Sequence, residues 1–423
     1  MTPEYSLYLH IPFCLHRCAY CDFNTFAGQE ALIPAYVDAL CNEIHAVASS
    51  APERLPAHTI FFGGGTPSLL APRQFEQILQ TLHDHFVLSE PETTLEANPG
   101  TVTLASLRDL RRIGFNRISF GIQSAHPDEL RQLERIHNFF DVINSVKWAR
   151  QAGFDNLNLD LIFGLPEQSL DCWQATVKQA LGLHPEHFSL YALTLEHGTP
   201  FGRWAARGLM PTPDPDLAAE MYEWAMDFLA GQGYIQYEIS NWARDFTPSG
   251  TQPSGGMDQS PYFSCKHNLQ YWRNLPYLGF GAGAHGYAAG LRYSNVLRIR
   301  TYIDHCRSSP VTRHSFPLSP ATVNHQILTP KTEMQETMFT GLRLTREGVS
   351  ADDFRKRFGV EMKEIFRQEI DELERLDLLE WVDLPPLHPP SISGNGGRGV
   401  GEVLRLAGRG RLLGNQVFIR FVE

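Results

Sequence analysis

The chain has 423 residues, a length that accommodates two or three domains and a sizeable core. Hydrophobic residues make up 43% and charged residues 20%, the mix of a globular protein in water. Lys and Arg number 36 against 47 Asp and Glu, a net charge of −11 that argues against a general binder of nucleic acid or anionic membranes. No apolar stretch approaches the ~18 residues of a membrane span. The opening MTPEYSLYLHIPFC has no basic segment followed by an apolar one, so a secretory leader is not expected. Seven cysteines, three of them within eight residues, point to a reduced, cytoplasmic setting and a cysteine-based site rather than a disulfide framework.

In chain order, Tyr5 to Ile11 reads as a strand, followed by a helix with Leu32, Tyr36, Leu40, Ile44 and Val47 at helical spacing. Thr59 to Phe62 is a second strand, running into Gly63-Gly64-Gly65, and Pro72 opens a helix faced by Phe75, Ile78, Leu79 and Leu82. Thr93 to Ala97 is a third strand; the helix after it, marked by Leu104, Leu107, Leu110 and Ile113, ends at Gly114. Arg117 to Ile122 is a fourth strand, and Pro127 to Gly153 holds one helix or two. Leu157 to Phe163, a helix over about 170–183, and Phe188 to Leu193 complete six strand–helix units. Such alternation implies a parallel sheet, either a partial barrel of the (β/α)6 kind or a doubly wound open sheet. Residues 246–263 and 384–402, rich in Pro, Gly and Ser, read as an insertion and a flexible segment. Between them, residues 331–382 read as helical, with Met362, Ile365, Phe366, Ile370 and Leu373 on one face. The expected division is a barrel with its extension over 1–304 and a smaller C-terminal domain over 305–423.

The sharpest feature is Cys14-x-x-x-Cys18-x-x-Cys21, directly after the first strand. Thiolates are soft ligands, suited to iron–sulfur clusters, zinc or Cu(I). Structural zinc takes four ligands, so it would need His10, His16 or a distant group as well. A cluster held by three cysteines leaves one iron open to a substrate or cofactor. Three unrelated thiols are the plain alternative. Gly63-Gly64-Gly65-Thr66-Pro67 after the second strand offers a close backbone approach to a ligand, or only a turn. Glu96 and Gln123 end the third and fourth strands, and Asp160 lies inside an otherwise apolar strand, where an acid is costly unless paired or functional. Arg135 is placed to clamp a carboxylate, or to pair with a neighbour on its helix.

The cysteine spacing resembles the signature of the radical S-adenosylmethionine (SAM) superfamily. The resemblance implies a full or partial (β/α) barrel and a 4Fe-4S cluster on Cys14, Cys18 and Cys21. It also implies SAM bound through its amino and carboxylate groups to the open iron. GGGTPS, GFNRISFGIQS and LDLIFGLPEQ narrow the likeness to the oxygen-independent coproporphyrinogen III oxidase group, over most of residues 5–200. By that resemblance Tyr8, Tyr20, Gly64, Gly65, Thr66, Glu96, Gln123, Arg135, Asp160 and Ala192 contact SAM.

Oxidases of the group carry a fourth Cys two residues after the third; here Phe23 stands there, which counts against porphyrinogen oxidation. That pattern, and His267-Asn268-Leu269-Gln270-Tyr271-Trp272, which resembles an HNxxYW motif tied to haem, are similar to the HemW branch of haem chaperones. The segment Arg409 to Asn415 resembles the end of that branch's C-terminal domain. The resemblance implies haem as a further ligand, with His267 as an axial ligand and Tyr271 and Trp272 as flat faces for the porphyrin. Cys265 is an alternative ligand, and a packing histidine is the plain reading of His267. The expected function is haem transfer to a haem-requiring acceptor protein, with contact to a membrane only through that acceptor. An anaerobic coproporphyrinogen oxidase and another radical SAM enzyme, such as a transferase, are the alternatives.

Overall fold

The computed structural model describes residues 4–245, 260–307, 314–384 and 401–422. The insertion expected at 246–263 and the flexible segment expected at 384–402 lie mainly outside these described residues. The chain forms two compact units, Met1–Ala225 with Pro276–Ile327, and Met226–Leu275 with Leu328–Glu423. This division differs from one at 304/305. Thr322–Ile327 pairs antiparallel along Leu291–Asn295, which keeps the chain in the first unit to Ile327. The segment carrying His267 belongs to the second unit, because Phe263 and Leu269 pack there with Tyr237, Ala243 and Leu344.

The first unit is built on six strands: β1 (Tyr5–Ile11), β2 (Pro56–Gly64), β3 (Val87–Ala97), β4 (Arg117–Gln123), β5 (Leu157–Phe163) and β6 (His187–Ala192). They pair in parallel in sequence order, β1 to β6. A doubly wound sheet reverses its order at a switch point. Here the order never reverses, so the strands form a barrel wall. The helices between them are α1 (Ile33–Ser50), α2 (Pro72–His85), α3 (Leu104–Arg112), α4 (Pro127–Gln132), α5 (Phe139–Gln151) and α6 (Leu170–Leu181). Strands β1 and β5 are buried along both faces except at Tyr8 and Asp160, so they read as near-continuous apolar runs. Phe62 of β2, Phe75 of α2 and Phe115 before β4 form a three-ring cluster with centroids 5.1–5.3 Å apart. Replacing any one by Ala costs about 3–5 kcal/mol. The stretch from Pro127 to Gly153 is two helices, and Arg135 sits in the break between them.

On the other side of β1 the sheet continues with β7 (Tyr277–Phe280), parallel to β1, and then antiparallel with β8 (His285–Ala288), β9 (Leu291–Asn295) and β10 (Thr322–Ile327). Glu43 of α1, fully buried, ties this extension down. Its carboxylate accepts from Gly281 N (2.8 Å), Asn295 Nδ2 (2.7 Å), Tyr302 Oη (2.7 Å) and Ser319 Oγ (2.7 Å). Burial raises its pKa and those four donors pull it back, so the acid is tolerated where an unpaired one would not be.

In the second unit, Met338, Leu342, Phe354, Met362, Phe366, Ile370, Leu373 and Phe418 pack around a three-stranded antiparallel sheet with Gly401–Leu406 in its centre. Ile365, expected on the same face, is 42% exposed. Phe366 leaves helical geometry (φ −116°, ψ 31°) and splits the run into Met362–Ile365 and Arg367–Arg375, which rotates Ile365 outward.

Candidate functional site

The cysteine loop leaves the carboxyl end of β1 and is pinned at both ends by a short parallel pairing of Phe13 with Phe26 and Cys14 with Ala27. Its three thiols line one cavity of about 430 Å³ at the carboxyl ends of the barrel strands. Cys14 is buried, Cys18 and Cys21 half-buried, and all three are free thiols. Each faces a polar neighbour: Thr66 Oγ1 lies 3.7 Å from Cys14 Sγ, Arg135 Nη1 3.6 Å from Cys18 Sγ, and Thr25 Oγ1 3.9 Å from Cys21 Sγ. Burial pushes the Cys14 and Cys21 thiols up. Among the described residues, no three His, Cys, Asp or Glu side chains gather as ligands of one ion. Three thiols lining one cavity fit a four-iron cluster, in which each thiolate holds a different iron. The histidines that zinc would need are engaged elsewhere. His10 bonds Tyr8 and Asn24, and His16 lies 3.3 Å from Glu134 Oε2.

The glycine loop forms the adjoining wall. Gly64 has φ +111°, and a Cβ there would lie 2.5 Å from the His10 ring; at Gly65 a Cβ would meet the Phe13 carbonyl oxygen at 2.6 Å. Only glycine lets β2 end this close to β1. Gly65 N donates to Ile11 O and Thr66 N to Phe13 O, which binds the glycine loop to the cysteine loop. Thr66 Oγ1 in turn accepts from Asn98 Nδ2 at 2.9 Å.

The floor is acidic. Glu96 Oε2 accepts from Gly64 N at 3.0 Å. Burial and the neighbouring Asp160 push its carboxyl up to about 7, against the opposing pull of the Gly64 N–H and Arg117. Asp160 accepts from Ser119 Oγ (2.7 Å) and Asn158 Nδ2 (2.8 Å). Its pKa is raised by burial, which these bonds only partly offset. Asn158 is oriented by His187 Nδ1, 2.6 Å from its Oδ1. Gln123 closes β4 with φ +63°, at a register shift against β5. A non-glycine residue held in the left-handed region is the kind of strain that collects at ligand sites. Arg135 donates to Asn98 Oδ1 and to Gly121 O (2.7 Å). Burial works against its charge, but Tyr20 and Cys18 together hold its pKa above the ordinary value.

The cavity thus brings together the three cysteines, Tyr20, Gly64, Gly65, Thr66, Glu96, Gln123, Arg135, Asp160 and Ala192. Tyr8 is not among its lining residues; its hydroxyl lies 3.0 Å from His10 Nδ1. Asn98 and Ser119 belong to the cavity and were not singled out from the sequence. Their signal was position alone, two residues past Glu96 and inside the strand ending at Gln123. The cavity fits the cofactor pair: soft ligands on one side, carboxylates and a guanidinium on the other, and a glycine backbone between.

His267, Tyr271 and Trp272 lie on the helix Lys266–Trp272 in the second unit. His267 is 1% exposed, and its Nε2 lies 2.8 Å from Tyr271 Oη. The Arg343 guanidinium stacks over the Trp272 ring at 4.3 Å. Trp272 Nε1 is a buried donor with no hydrogen-bond partner among the described residues. Cys265 is fully buried at the helix start. In this conformation neither Nε2 of His267 nor the Cys265 thiol is presented to solvent, so iron ligation through either requires the helix to shift.

Residues 8–180 match the model of the radical SAM superfamily, and residues 328–381 that of the HemN C-terminal domain. The chain is 36% identical to the heme chaperone HemW of Bacillus subtilis, over 99% of each chain. It is 34% identical to that of Lactococcus lactis, over 99% of this chain and 97% of the relative. It is 39% identical to that of Escherichia coli, over 67% and 70%. Among solved structures, coproporphyrinogen III oxidase (HemN) from Escherichia coli superposes with a TM-score of 0.75 at 21% identity, covering 99% of this chain and 90% of that one. That likeness establishes the fold.

Proposed function

Because the chain belongs to the HemW family of the radical SAM superfamily, we propose that it is a haem chaperone, which binds haem and passes it to a haem-requiring acceptor protein. The observation that carries the reading is identity to haem chaperones over essentially the whole chain. Phe23, 64% exposed at the cavity, supports it, since the oxidases of the wider group have Cys there. The match to the oxidase structure carries the fold and no activity.

Cys14, Cys18 and Cys21 would hold the 4Fe-4S cluster. Gly64, Gly65, Glu96, Gln123, Arg135, Asp160 and Ala192 would seat SAM beside it. When bound, the two supply one-electron chemistry at a sulfonium centre; in this reading they set the state of the protein rather than turn over a porphyrin. The chain's own residues do three things there. Arg135 draws the Cys18 thiol, Asn98 and the Gly121 carbonyl together, which fixes that wall of the cavity. Glu96 and Asp160, both shifted toward the neutral form, accept a ligand's N–H or O–H groups, and a cation nearby draws them back to carboxylates. The glycine loop closes against His10 and the start of the cysteine loop, which shapes the cavity wall beside the cysteines. Haem would meet His267, Tyr271 and Trp272 once the helix shifts, and the buried, unpartnered Trp272 N–H would then be open to a propionate. No described helix is long and apolar enough to cross a membrane; a cytoplasmic location, and membrane contact only through the acceptor, complete the proposal. The test is haem transfer. Haem-loaded protein mixed with an apo haem protein should pass its haem on, while coproporphyrinogen III with SAM and reductant stays unconverted. Porphyrinogen turnover without haem transfer would overturn the reading.

A further inference from the structure

We propose that Asn24 is a positioning residue for the cluster: its side chain, seated on Gly283, clamps the cysteine loop to the turn after β7 and sets the loop against the glycine wall. The proposal rests on the reading of Cys14, Cys18 and Cys21 as cluster ligands.

Asn24 lies three residues beyond Cys21, so its placement limits where that thiol can sit. Both protons of its side-chain amide are used. Nδ2 donates to Ala282 O and to Leu297 O, each at 2.9 Å. Its backbone carbonyl is also taken, by His10 Nε2 at 2.9 Å. A carbonyl only accepts, so Nε2 carries the proton and Nδ1 accepts from Tyr8 Oη at 3.0 Å. The same His10 ring lies under Gly64, where a Cβ would come within 2.5 Å of it. Asn24 and His10 therefore join the end of the cysteine loop to the start of the glycine loop.

The seat is rigid. Gly283 has φ +80°, and a Cβ on it would lie 2.4 Å from Asn24 Nδ2; Gly281 has φ +104°, and a Cβ on it would lie 2.5 Å from His10 O. Tyr36 Oη donates to His10 O (2.7 Å) and accepts from Ala282 N (2.9 Å), while Gly281 N is held by Glu43. The stretch 281–283 that carries the Ala282 acceptor is thus fixed by buried groups, while the second acceptor, Leu297 O, lies on an exposed residue. The bonds that exposed Arg17 makes to this stretch of loop, to Cys21 O and Phe23 O, are 3.4 Å long. Loss of two ordinary hydrogen bonds shifts a docked-to-open ratio by about tenfold. Aspartate at this position has the same shape but points an acceptor at two carbonyl oxygens, so shape alone cannot rescue it.

The test uses full-length protein reconstituted anaerobically with iron and sulfide, as wild type, Asn24→Ala, Asn24→Asp and Gly283→Ala, with Cys14→Ser in parallel. Two quantities are read: the rate of iron release to a chelator, and the electron paramagnetic resonance spectrum of the reduced cluster before and after SAM. The clamp predicts wild-type iron content after reconstitution, iron release faster by about tenfold in all three clamp variants, and a weakened change of spectrum on adding SAM. Asn24 is half-buried on a loop and contributes no core side chain, so its variants decide the matter even if Gly283→Ala misfolds. Wild-type release and spectra in both Asn24 variants, with iron lost from Cys14→Ser, would overturn the clamp alone. Full iron retained by Cys14→Ser would overturn the cluster reading and the clamp with it.

Discussion

Glu96→Gln isolates the electrostatics of the cavity floor. In the wild type the carboxyl accepts a single backbone N–H, from Gly64 at 3.0 Å, and faces Asp160 across the floor. Burial and Asp160 raise its pKa from 4.5 to about 7. The folded chain therefore keeps a proton over a pH range in which the unfolded chain has released it. The sign follows: native stability from this group is full below pH 4.5 and is lost as pH rises to about 7, by about 3 kcal/mol in all. Glutamine keeps an acceptor for Gly64 N and carries no charge at any pH. Urea melts of the cluster-free chain at pH 5 and pH 8, for wild type and variant, measure the effect as a double difference in which titrating groups not coupled to Glu96 cancel. The variant should match the wild type at pH 5 and exceed it at pH 8 by roughly 2–3 kcal/mol, Asp160 taking some of the relief. An unchanged double difference would refute the argument that the floor is destabilised by two crowded carboxylates.

Three further outcomes follow from the geometry. Gly64→Ala forces a side chain into a left-handed position and against His10, so SAM affinity measured by equilibrium dialysis should fall by about tenfold or more. Glu43→Ala strands four buried donors, which costs about 4 kcal/mol and lowers the melting temperature by roughly 5–7 °C. Calorimetry reads this directly, and a drop under 2 °C, far less than ~4 kcal/mol implies, would contradict it. Tyr271→Phe removes the phenol from His267 Nε2. If that nitrogen ligates haem iron, the variant binds haem at least as tightly as wild type with a shifted Soret band, whereas His267→Ala binds it more weakly.

The barrel was legible because its evidence is local. Buried parallel strands such as Leu157–Phe163 are continuous apolar runs, the helices between them carry 3.6-residue periodicity, and the three cysteines fall within eight residues. Turn and strand-end residues of the site, from Gly64 to Asp160, were legible through the motifs that contain them. What escaped depends on distant pairing. Asn24 meets Ala282 and Leu297 across 258 and 273 positions, and Glu43 meets Gly281 across 238, separations that leave no periodic trace. Tyr8 carries a motif position yet bonds His10 and does not line the cavity. The division between units was missed because the segment 226–275 joins its partners 328–423 only in space. The central strand Gly401–Leu406 follows a Gly-rich stretch that masks its pairing with Leu379–Leu384.

The most direct test of the account is an anaerobic haem titration of the cluster-loaded protein, followed at the Soret band. The account predicts a saturable endpoint at one haem per chain, weakened by His267→Ala and accompanied by no conversion of coproporphyrinogen III. An absence of saturable binding, in protein shown to hold its iron and sulfide, would contradict it.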